Sequence, residues 1–334
     1  MEVLIIAILI VFFGLLFDYT NGFHDAANVV ATVIATRVLA PVTAIVLAGV
    51  LNLLGATQIS GVAHTITSGI VESSSVTSIT ILAAVLGAIF WNIITWYFGM
   101  ASSSSYALIG GLVGATFVSV GFNPILWKGL IYKVAIPMVL SPIIGYFIAF
   151  LFMKTTLFII ARRRRRGYKK NPQKLFSHLQ IGSASIMALS HGLNDAQKSM
   201  GIITLGLFAS GFLTDQKIPL WVIISCAIVM GLGTASGGMR IIRTVGFSIT
   251  KIRPIQGFAA EVSASFVLLI ASFLGMPISS THMIVGSVAG VGAANGVSSV
   301  QWSIIHKLLV AWIFTLPGSA IVAAFSWYLL SWII

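Results

Sequence analysis

Two aspartates occupy the same position in a short pattern that appears twice along the chain. Residues 22–26 read GFHDA and residues 192–196 read GLNDA, 170 positions apart. Both aspartates lie in apolar surroundings, where an unpaired carboxylate costs on the order of 3 kcal/mol. Carboxylate and amide oxygens are hard ligands that suit sodium, and a carboxylate can also accept a proton. The alternative is that each carboxylate caps a break in a helix. The candidate sodium ligands are Asp25, Asp195, Asn21 and Asn194.

A run of hydroxyl side chains is also duplicated. Residues 99–105 read GMASSSS and residues 275–281 read GMPISST, 176 positions apart. Each run begins with a helix-breaking Gly and leads into a new apolar stretch, so we expect a helix to start there. The first N–H groups of a helix lack internal partners and suit an anion. Alternatively, these small residues only allow close helix packing. The candidate ligands of such an anion are Ser103, Ser104, Ser105, Ser279, Ser280 and Thr281, with the amides Gln197 and Asn28.

Three further charged residues are candidates for coupling or gating. Glu261 lies in an apolar stretch before the second hydroxyl run, so it is either an ion ligand or the buried partner of a base. Lys198 can pair with Asp195 or contact an anion. Glu72 is expected near a membrane interface, where it would guard an entrance, and Asp18 is also expected near an interface.

These residues are set in a very apolar chain. Of its 334 residues 58% are hydrophobic and only 8% are charged, with a mean hydropathy of +1.04. Several apolar stretches approach the roughly 20 residues that a helix needs to cross a bilayer. Lipid offers no partners for open backbone groups, so the spans must be helical. We therefore predict an all-α, multi-pass protein of the plasma membrane, with no signal peptide before its first span.

The two duplicated patterns divide the chain into halves. We predict a first transmembrane repeat at 1–160 and a second at 175–334, joined by a basic cytoplasmic loop at 161–174 that obeys the positive-inside rule rather than binding nucleic acid. Arginines and lysines follow position 239 in the second half, whereas the equivalent first-half segment carries only Glu72. This asymmetry favours inverted topology, with broken helices or re-entrant hairpins meeting at a midplane site.

At this point the patterns resemble the inorganic phosphate transporter (PiT) family. The resemblance rests on NGFHDAAN at 21–28, SHGLNDAQKSMG at 190–201 and GMPISSTH at 275–282, and it covers nearly the whole chain. It implies secondary active transport of phosphate with sodium or protons by a homodimer built from inverted repeats. The first half departs from the family pattern at His24, at Ala101 and Ser102, and at Val85, where many relatives carry Glu.

The resulting hypothesis is a phosphate symporter that works by alternating access, with sodium favoured over a proton as the coupling ion and no other cofactor. A passive anion or cation channel would use the hydroxyl runs as a filter, but the paired buried aspartates argue against a pure anion pore. An intramembrane enzyme with a serine nucleophile and His282 as base would have no use for two hydroxyl runs. Sulfate or arsenate stays open as the oxyanion, because helix-end amides recognise shape and charge.

Overall fold

The computed structural model describes residues 2–58, 60–167 and 171–333. Within these ranges the chain folds into twelve helices and one single-turn 3-10 helix, Val297–Ser299, and no strand is present apart from one isolated bridge between Val71 and Ile125. The helices are α1 Glu2–Ala35, α2 Pro41–Ala56, α3 Gly61–Ser68, α4 Ser78–Tyr97, α5 Ser104–Val120, α6 Trp127–Arg165, α7 Pro172–Ala209, α8 Leu220–Ser236, α9 Met239–Ser248, α10 Pro254–Phe273, α11 Ser280–Ala294 and α12 Trp302–Ile333.

Five of these helices, α1, α4, α6, α10 and α12, are long and apolar enough to cross a membrane. Two further candidates are bent pairs: α2 and α3 meet at 69°, and α8 and α9 meet at 60°. If each bent pair is one span, the described residues contain up to seven spans. The predicted all-α membrane class is confirmed, and each bent pair has the form of a broken span or of a re-entrant loop.

The order of helices is the same in the two halves. α4 and α10 begin 176 positions apart, at Ser78 and Pro254, and α5 and α11 begin 176 positions apart, at Ser104 and Ser280. α6 and α12 each contain an internal proline, Pro142 or Pro317. The duplication seen in the motifs therefore extends to the arrangement of the helices.

The two aspartate-bearing helices, α1 and α7, cross in opposite directions. Ser199 Oγ donates to Asp18 Oδ1 at 2.7 Å. Toward the beginning of α1, a Cβ placed on Gly206 would lie 2.4 Å from a side-chain carbon of Ile10. Moving toward the start of α1 therefore means moving toward the end of α7. This antiparallel crossing brings the central turns of both helices to the same level.

Helices of one half pack directly against helices of the other. A Cβ on Gly192 would lie 2.1 Å from the Asn52 carbonyl oxygen, and one on Gly22 would lie 2.7 Å from the Met230 carbonyl oxygen. α7 therefore touches α2, and α1 touches α8, at distances that admit only glycine. The hydroxyl-bearing helices also pack against helices of the other half. α5 contacts α12, and α11 contacts α6, through glycines spaced four apart.

Each hydroxyl run lies at the tip of a helical hairpin. α4 is followed by Gly99 (φ +65°) and α10 by Gly275 (φ +66°), a left-handed conformation that glycine adopts without strain. The next residue closes the cap, because Met100 N–H donates to the Thr95 carbonyl at 2.9 Å and the same bond forms in α10. The chain then turns back as α5 or α11, as the predicted break followed by a helix start requires.

The predicted basic loop at 161–174 is largely helical where it is described. α6 continues through Arg165, and α7 begins at Pro172 with Asn171 as its N-cap, whose Oδ1 accepts from Gln173 N–H at 3.0 Å. Pro at the first helical position and an Asn cap are strong helix-start signals. Lys174 therefore belongs to α7, whereas Lys169 and Lys170 lie outside the described residues.

Candidate functional site

The two predicted aspartates meet in the centre of the molecule. One side-chain ligand atom each from Asp25, Asp195 and His191 lies within 4.8 Å of the other two. Asp25 is 2% exposed and Asp195 is 0% exposed. Two carboxylates so close together and shielded from water need positive charge or donated hydrogen bonds to remain ionised.

Asp195 has a cation beside it. Lys198 Nζ donates to Asp195 Oδ1 from one turn later on α7. His191 Nε2 lies 2.9 Å from Asp195 Oδ2, and Ser280 Oγ donates to the same oxygen at 2.7 Å. Lys198, left open between pairing with the aspartate and contacting an anion, makes the ion pair in this structure. Its ammonium also donates to Ser105 Oγ at 2.5 Å, so it contacts a hydroxyl run as well.

The hydrogen-bond partners of Asp25 are an imidazole and a hydroxyl. His24 Nδ1 lies 2.9 Å from Asp25 Oδ1, and Thr281 Oγ1 donates to that oxygen at 3.2 Å. The His24 ring is itself held by Thr95, whose Oγ1 lies 3.2 Å from Nε2. Among the described residues no lysine or arginine forms an ion pair with Asp25. This carboxylate is therefore better placed to take an added cation than Asp195 is.

The two halves exchange contacts at the hydroxyl runs. Asn28, on the first aspartate helix, donates to Ser280 Oγ at 3.1 Å and to Thr281 Oγ1 at 2.9 Å, both in the second run. Lys198, which is 170 positions after Asn28, reaches Ser105 in the first run. Each aspartate helix thus holds the hydroxyls of the opposite half, and the two runs face one central site.

The members of each hydroxyl run have different tasks. Ser103 Oγ accepts from Tyr106 N–H at 3.3 Å and Ser279 Oγ accepts from His282 N–H at 3.2 Å, so these two serines are N-caps. The next residue, Ser104, is buried, and its hydroxyl has no hydrogen-bond partner within the described part of the chain. A buried polar group without a protein partner is unusual, and water or a ligand can satisfy it.

More buried polar atoms without partners lie on the helices that carry the aspartates and on α4. Both amide atoms of Asn21 and of Asn92 lack partners among the described residues, as do the Oδ1 atoms of Asn28 and Asn194. All four residues are buried. Amide and carboxylate oxygens belong to the donor set that a hard cation such as sodium takes. The predicted ligands Asn21 and Asn194 thus keep oxygens available, although Asn194 Nδ2 is bonded to Ser272 Oγ at 2.8 Å.

Two predicted residues lie apart from this cluster. Gln197 caps the start of α3: its Oε1 accepts from Val62 N–H at 2.8 Å and from Ala63 N–H at 3.1 Å. The side chain is thereby fully engaged with protein groups, and its role in binding phosphate stays a prediction. Glu72 is exposed on the connection between α3 and α4, where its Oε2 accepts from Ser75 Oγ at 3.1 Å. Its place at a membrane interface and its role at an entrance stay predictions.

Glu261 forms a separate buried polar cluster. Its carboxylate accepts from Thr32 Oγ1 at 2.5 Å, from Gln180 Nε2 at 3.1 Å and from Ser183 Oγ. Among the described residues no base pairs with it, so of the two alternatives left open the buried partner of a base is excluded in this structure. Thr32 lies two helical turns beyond Asp25 on α1, which places this cluster farther along the same helix.

Several residues of the site were missed by sequence reasoning. Asp18, expected near an interface, is 0% exposed, and its Oδ2 has no partner among the described residues. The available signal was its spacing, since seven residues separate it from Asp25 and place both on one helix face. Ser102 was set aside as a departure from the family pattern, yet its hydroxyl donates to Thr95 Oγ1 at 2.9 Å behind His24.

His282 does not have the surroundings of a catalytic base. Its ring stacks on Trp312 with centroids 3.7 Å apart and lies 5.1 Å from the Tyr106 ring. Neither ring nitrogen has a hydrogen-bond partner in the described ranges, so no serine hydroxyl is positioned for deprotonation by it.

Comparison with known proteins agrees with this site. The family model described as "Phosphate transporter family" matches residues 21–323. The chain belongs to the phosphate transporter family. This transporter is 43% identical over 333 residues to a Bacillus subtilis protein named "Probable low-affinity inorganic phosphate transporter", covering 99% of this chain and 98% of that protein. A Rhizobium meliloti protein of the same name is 44% identical over 94% of this chain and 93% of its own length.

A solved structure is also similar to this transporter. It is titled "The sodium-dependent phosphate transporter", and the two match with a TM-score of 0.87 and 26% sequence identity, over 98% of this chain and 100% of that one. The relatives are named as transporters, so the protein is a phosphate-family transporter and not an enzyme. With five to seven candidate spans, it is a multi-pass integral membrane protein.

Proposed function

We propose that this transporter moves inorganic phosphate across the plasma membrane together with sodium, by alternating access. The observation that carries the proposal is the convergence of two buried carboxylates and two hydroxyl-bearing helix starts on one central site. Oppositely charged ions bound side by side favour each other's binding, which is the reciprocal coupling that symport requires.

Phosphate would be held at the starts of α5 and α11. Unbonded N–H groups at a helix start attract an anion, and the hydroxyls of Ser104, Ser105, Ser280 and Thr281 add donors without adding charge. Lys198 supplies the single ammonium at this position. When phosphate binds, the hydroxyls that now donate to carboxylates would rotate toward the phosphate oxygens. Neutral donors bind an oxyanion without trapping it, as a transported substrate requires.

Charge counting supports coupling to more than one cation. Asp25, Asp195 and Lys198 together carry one net negative charge, and a monovalent phosphate would raise this to two. A buried site cannot sustain such a charge, because each uncompensated ion costs several kcal/mol, roughly 3 or more. Two monovalent cations would neutralise the loaded site. Sodium is favoured over a proton because Asn21 and Asn28, on the helix of Asp25, and Asn194, next to Asp195, keep amide oxygens without partners among the described residues. Such oxygens bind sodium but do not accept protons readily.

We further infer that the halves are inverted repeats. The antiparallel crossing of α1 and α7, together with their equivalent positions in the two halves, supports this topology. In an inverted pair, the same rocking motion that closes the site on one side opens it on the other. A homodimer and a cytoplasmic location of the basic segment are part of the same proposal, on the grounds of family resemblance and the positive-inside rule.

A passive anion channel is the second candidate, and sulfate or arsenate is the alternative cargo. The favoured mechanism is tested by uptake of labelled phosphate into proteoliposomes with and without an inward sodium gradient. We expect uphill accumulation that the gradient drives and that Asp25→Asn abolishes. Asp215→Asn is the matched control, since Asp215 is exposed and pairs with Lys217 at the surface. Downhill movement only, independent of sodium, would indicate a channel. Uptake of sulfate without phosphate would indicate a different substrate.

A further inference from the structure

A large cleft lies at the end of the molecule where the basic segment is located. It has a volume of about 870 Å³ and is formed by the last turns of α6, the first turns of α7 and the first turns of α10. None of the residues assigned to the phosphate or cation site lines it. Its lining has two chemically different parts, one aromatic and aliphatic and the other basic.

The inner part of the cleft is apolar. Phe258 on α10 lies at its centre, with its ring centroid 6.0 Å from that of Phe152 on α6 and 5.5 Å from that of Phe176 on α7. Aliphatic side chains extend this surface along α6 and α7, including Ile160 and Leu179. The three rings are half-buried. An apolar slot between helices, open to the hydrocarbon region, fits an acyl chain.

The outer part of the cleft is basic. Arg163 and Arg164 from α6 and Lys174 from α7 line it, and all three are exposed. None of them forms an ion pair with any described residue. The sequence explains this, since no aspartate or glutamate occurs between Glu72 and Asp195. Within the described residues, no carboxylate pairs with these charges.

We propose that this cleft binds one anionic phospholipid. The phosphodiester would lie between Arg163, Arg164 and Lys174, and an acyl chain would lie along Phe152, Phe176 and Phe258. Basic pockets between membrane helices are suited to anionic headgroups. A soluble anion would leave the aromatic slot unused, and a zwitterionic lipid would leave the basic charges uncompensated. The combination of the two surfaces fits an amphiphile with net negative charge.

Lipid in this cleft would stabilise the helices that carry buried polar groups. Phe176 precedes Gln180 by one turn on α7, and Phe258 precedes Glu261 by one turn on α10. Gln180 donates to Glu261 across the α7–α10 contact. A bound lipid would therefore hold together the same two helices at their outer ends. This inference concerns lipid binding alone and does not depend on which ion the transporter couples to phosphate.

The test is native mass spectrometry of the purified full-length protein in detergent, with phosphatidylglycerol or phosphatidylcholine of the same acyl chains added. We expect one phosphatidylglycerol to be retained in preference to phosphatidylcholine. The double variant Arg163→Gln with Arg164→Gln should weaken its binding by roughly 10- to 30-fold, because each basic residue near a charged lipid contributes about a factor of five. The matched control is Arg162→Gln with Arg165→Gln, which removes equal charge from the same helix outside the cleft lining.

Three results would overturn the proposal. Equal loss of lipid in both double variants would mean that only the overall charge of the segment matters. Equal retention of phosphatidylcholine would mean that the basic part of the cleft selects nothing. Displacement of the lipid by inorganic phosphate or by chainless glycerophosphoglycerol, each at the lipid's own concentration, would mean that the apolar part contributes nothing and that the cleft binds a soluble anion.

Discussion

The two aspartate centres are built at equivalent positions on equivalent helices, yet their charges differ. Asp195 is paired with Lys198, whereas Asp25 has an imidazole and a hydroxyl but no ammonium. The difference comes from one position, because the residue three places after Asp25 is Asn28. The two equivalent positions thus form one centre that contains a lysine and another in which a cation from solution would have to balance the carboxylate. On the proposed coupling to sodium, we infer that the cation binds chiefly at Asp25.

The largest expected difference between the centres is in stability. Asp195→Asn would leave the Lys198 ammonium buried without a counter-ion, which costs about 3–5 kcal/mol. Asp25→Asn keeps an oxygen that can accept from His24 and Thr281, so it removes only the charge from these hydrogen bonds, at about 1 kcal/mol each. We expect both variants to lose sodium-driven uptake, but only Asp195→Asn to lose much of its thermal stability in detergent. Equal melting temperatures for the two variants would contradict the assigned asymmetry.

A second experiment makes the two centres more alike. Lys198→Asn gives the second half the residue of the first, and Asp195 keeps His191 and Ser280 as partners. The loss of one charged hydrogen bond to the anion, about 1.5–3 kcal/mol, should raise the phosphate concentration for half-maximal uptake by roughly 10- to 100-fold. The sodium dependence should become steeper, because one more cation is needed. Lys217→Asn, at the surface, is the control. An unchanged phosphate dependence would exclude Lys198 from the anion site.

The hydroxyl runs separate a structural task from a binding task. Ser103→Ala removes an N-cap and should cost about 1 kcal/mol of stability. Ser104→Ala removes a hydroxyl without a protein partner in the described residues, so stability should hold while phosphate affinity falls about tenfold for the loss of a hydrogen bond. Thermal melting and the concentration dependence of uptake distinguish the two. If Ser103→Ala weakened phosphate binding more than Ser104→Ala, the assignment of tasks would be reversed.

The smallest expected effect is at Asp18, whose counterpart in the second half is Ala188. Asp18 accepts one hydrogen bond from Ser199 and forms no ion pair with any described residue. An asparagine preserves that acceptor, so Asp18→Asn should change stability by less than about 1 kcal/mol and uptake by less than about twofold. Uptake and melting of Ser199→Ala provide the comparison. A complete loss of sodium-driven uptake in Asp18→Asn would place a required charge here.

Much of the site could be predicted from local patterns. Three features could be predicted from a few neighbouring residues: the glycine after the first helix of each hairpin, the serine that caps the next helix, and the duplicated aspartates. The task of Gln197 could not be predicted in this way. It depends on the start of α3 lying against α7, which is a contact between distant parts of the chain. Asp18 was placed at an interface because its charge was considered without its helix face.

The pairing of α5 with α12 has a consequence for how the protein is made. α5 carries the first hydroxyl run and is synthesised early, but the surface on which Gly110 and Gly114 pack belongs to the last helix. Until α12 is synthesised, the hairpin of α4 and α5 has no α12 surface against which to pack. A premature stop before Trp302 would therefore disable a binding surface encoded two hundred residues upstream. The quality-control machinery of the membrane would therefore meet the uncovered face of Gly110 and Gly114 in any chain that contains α5 but not α12.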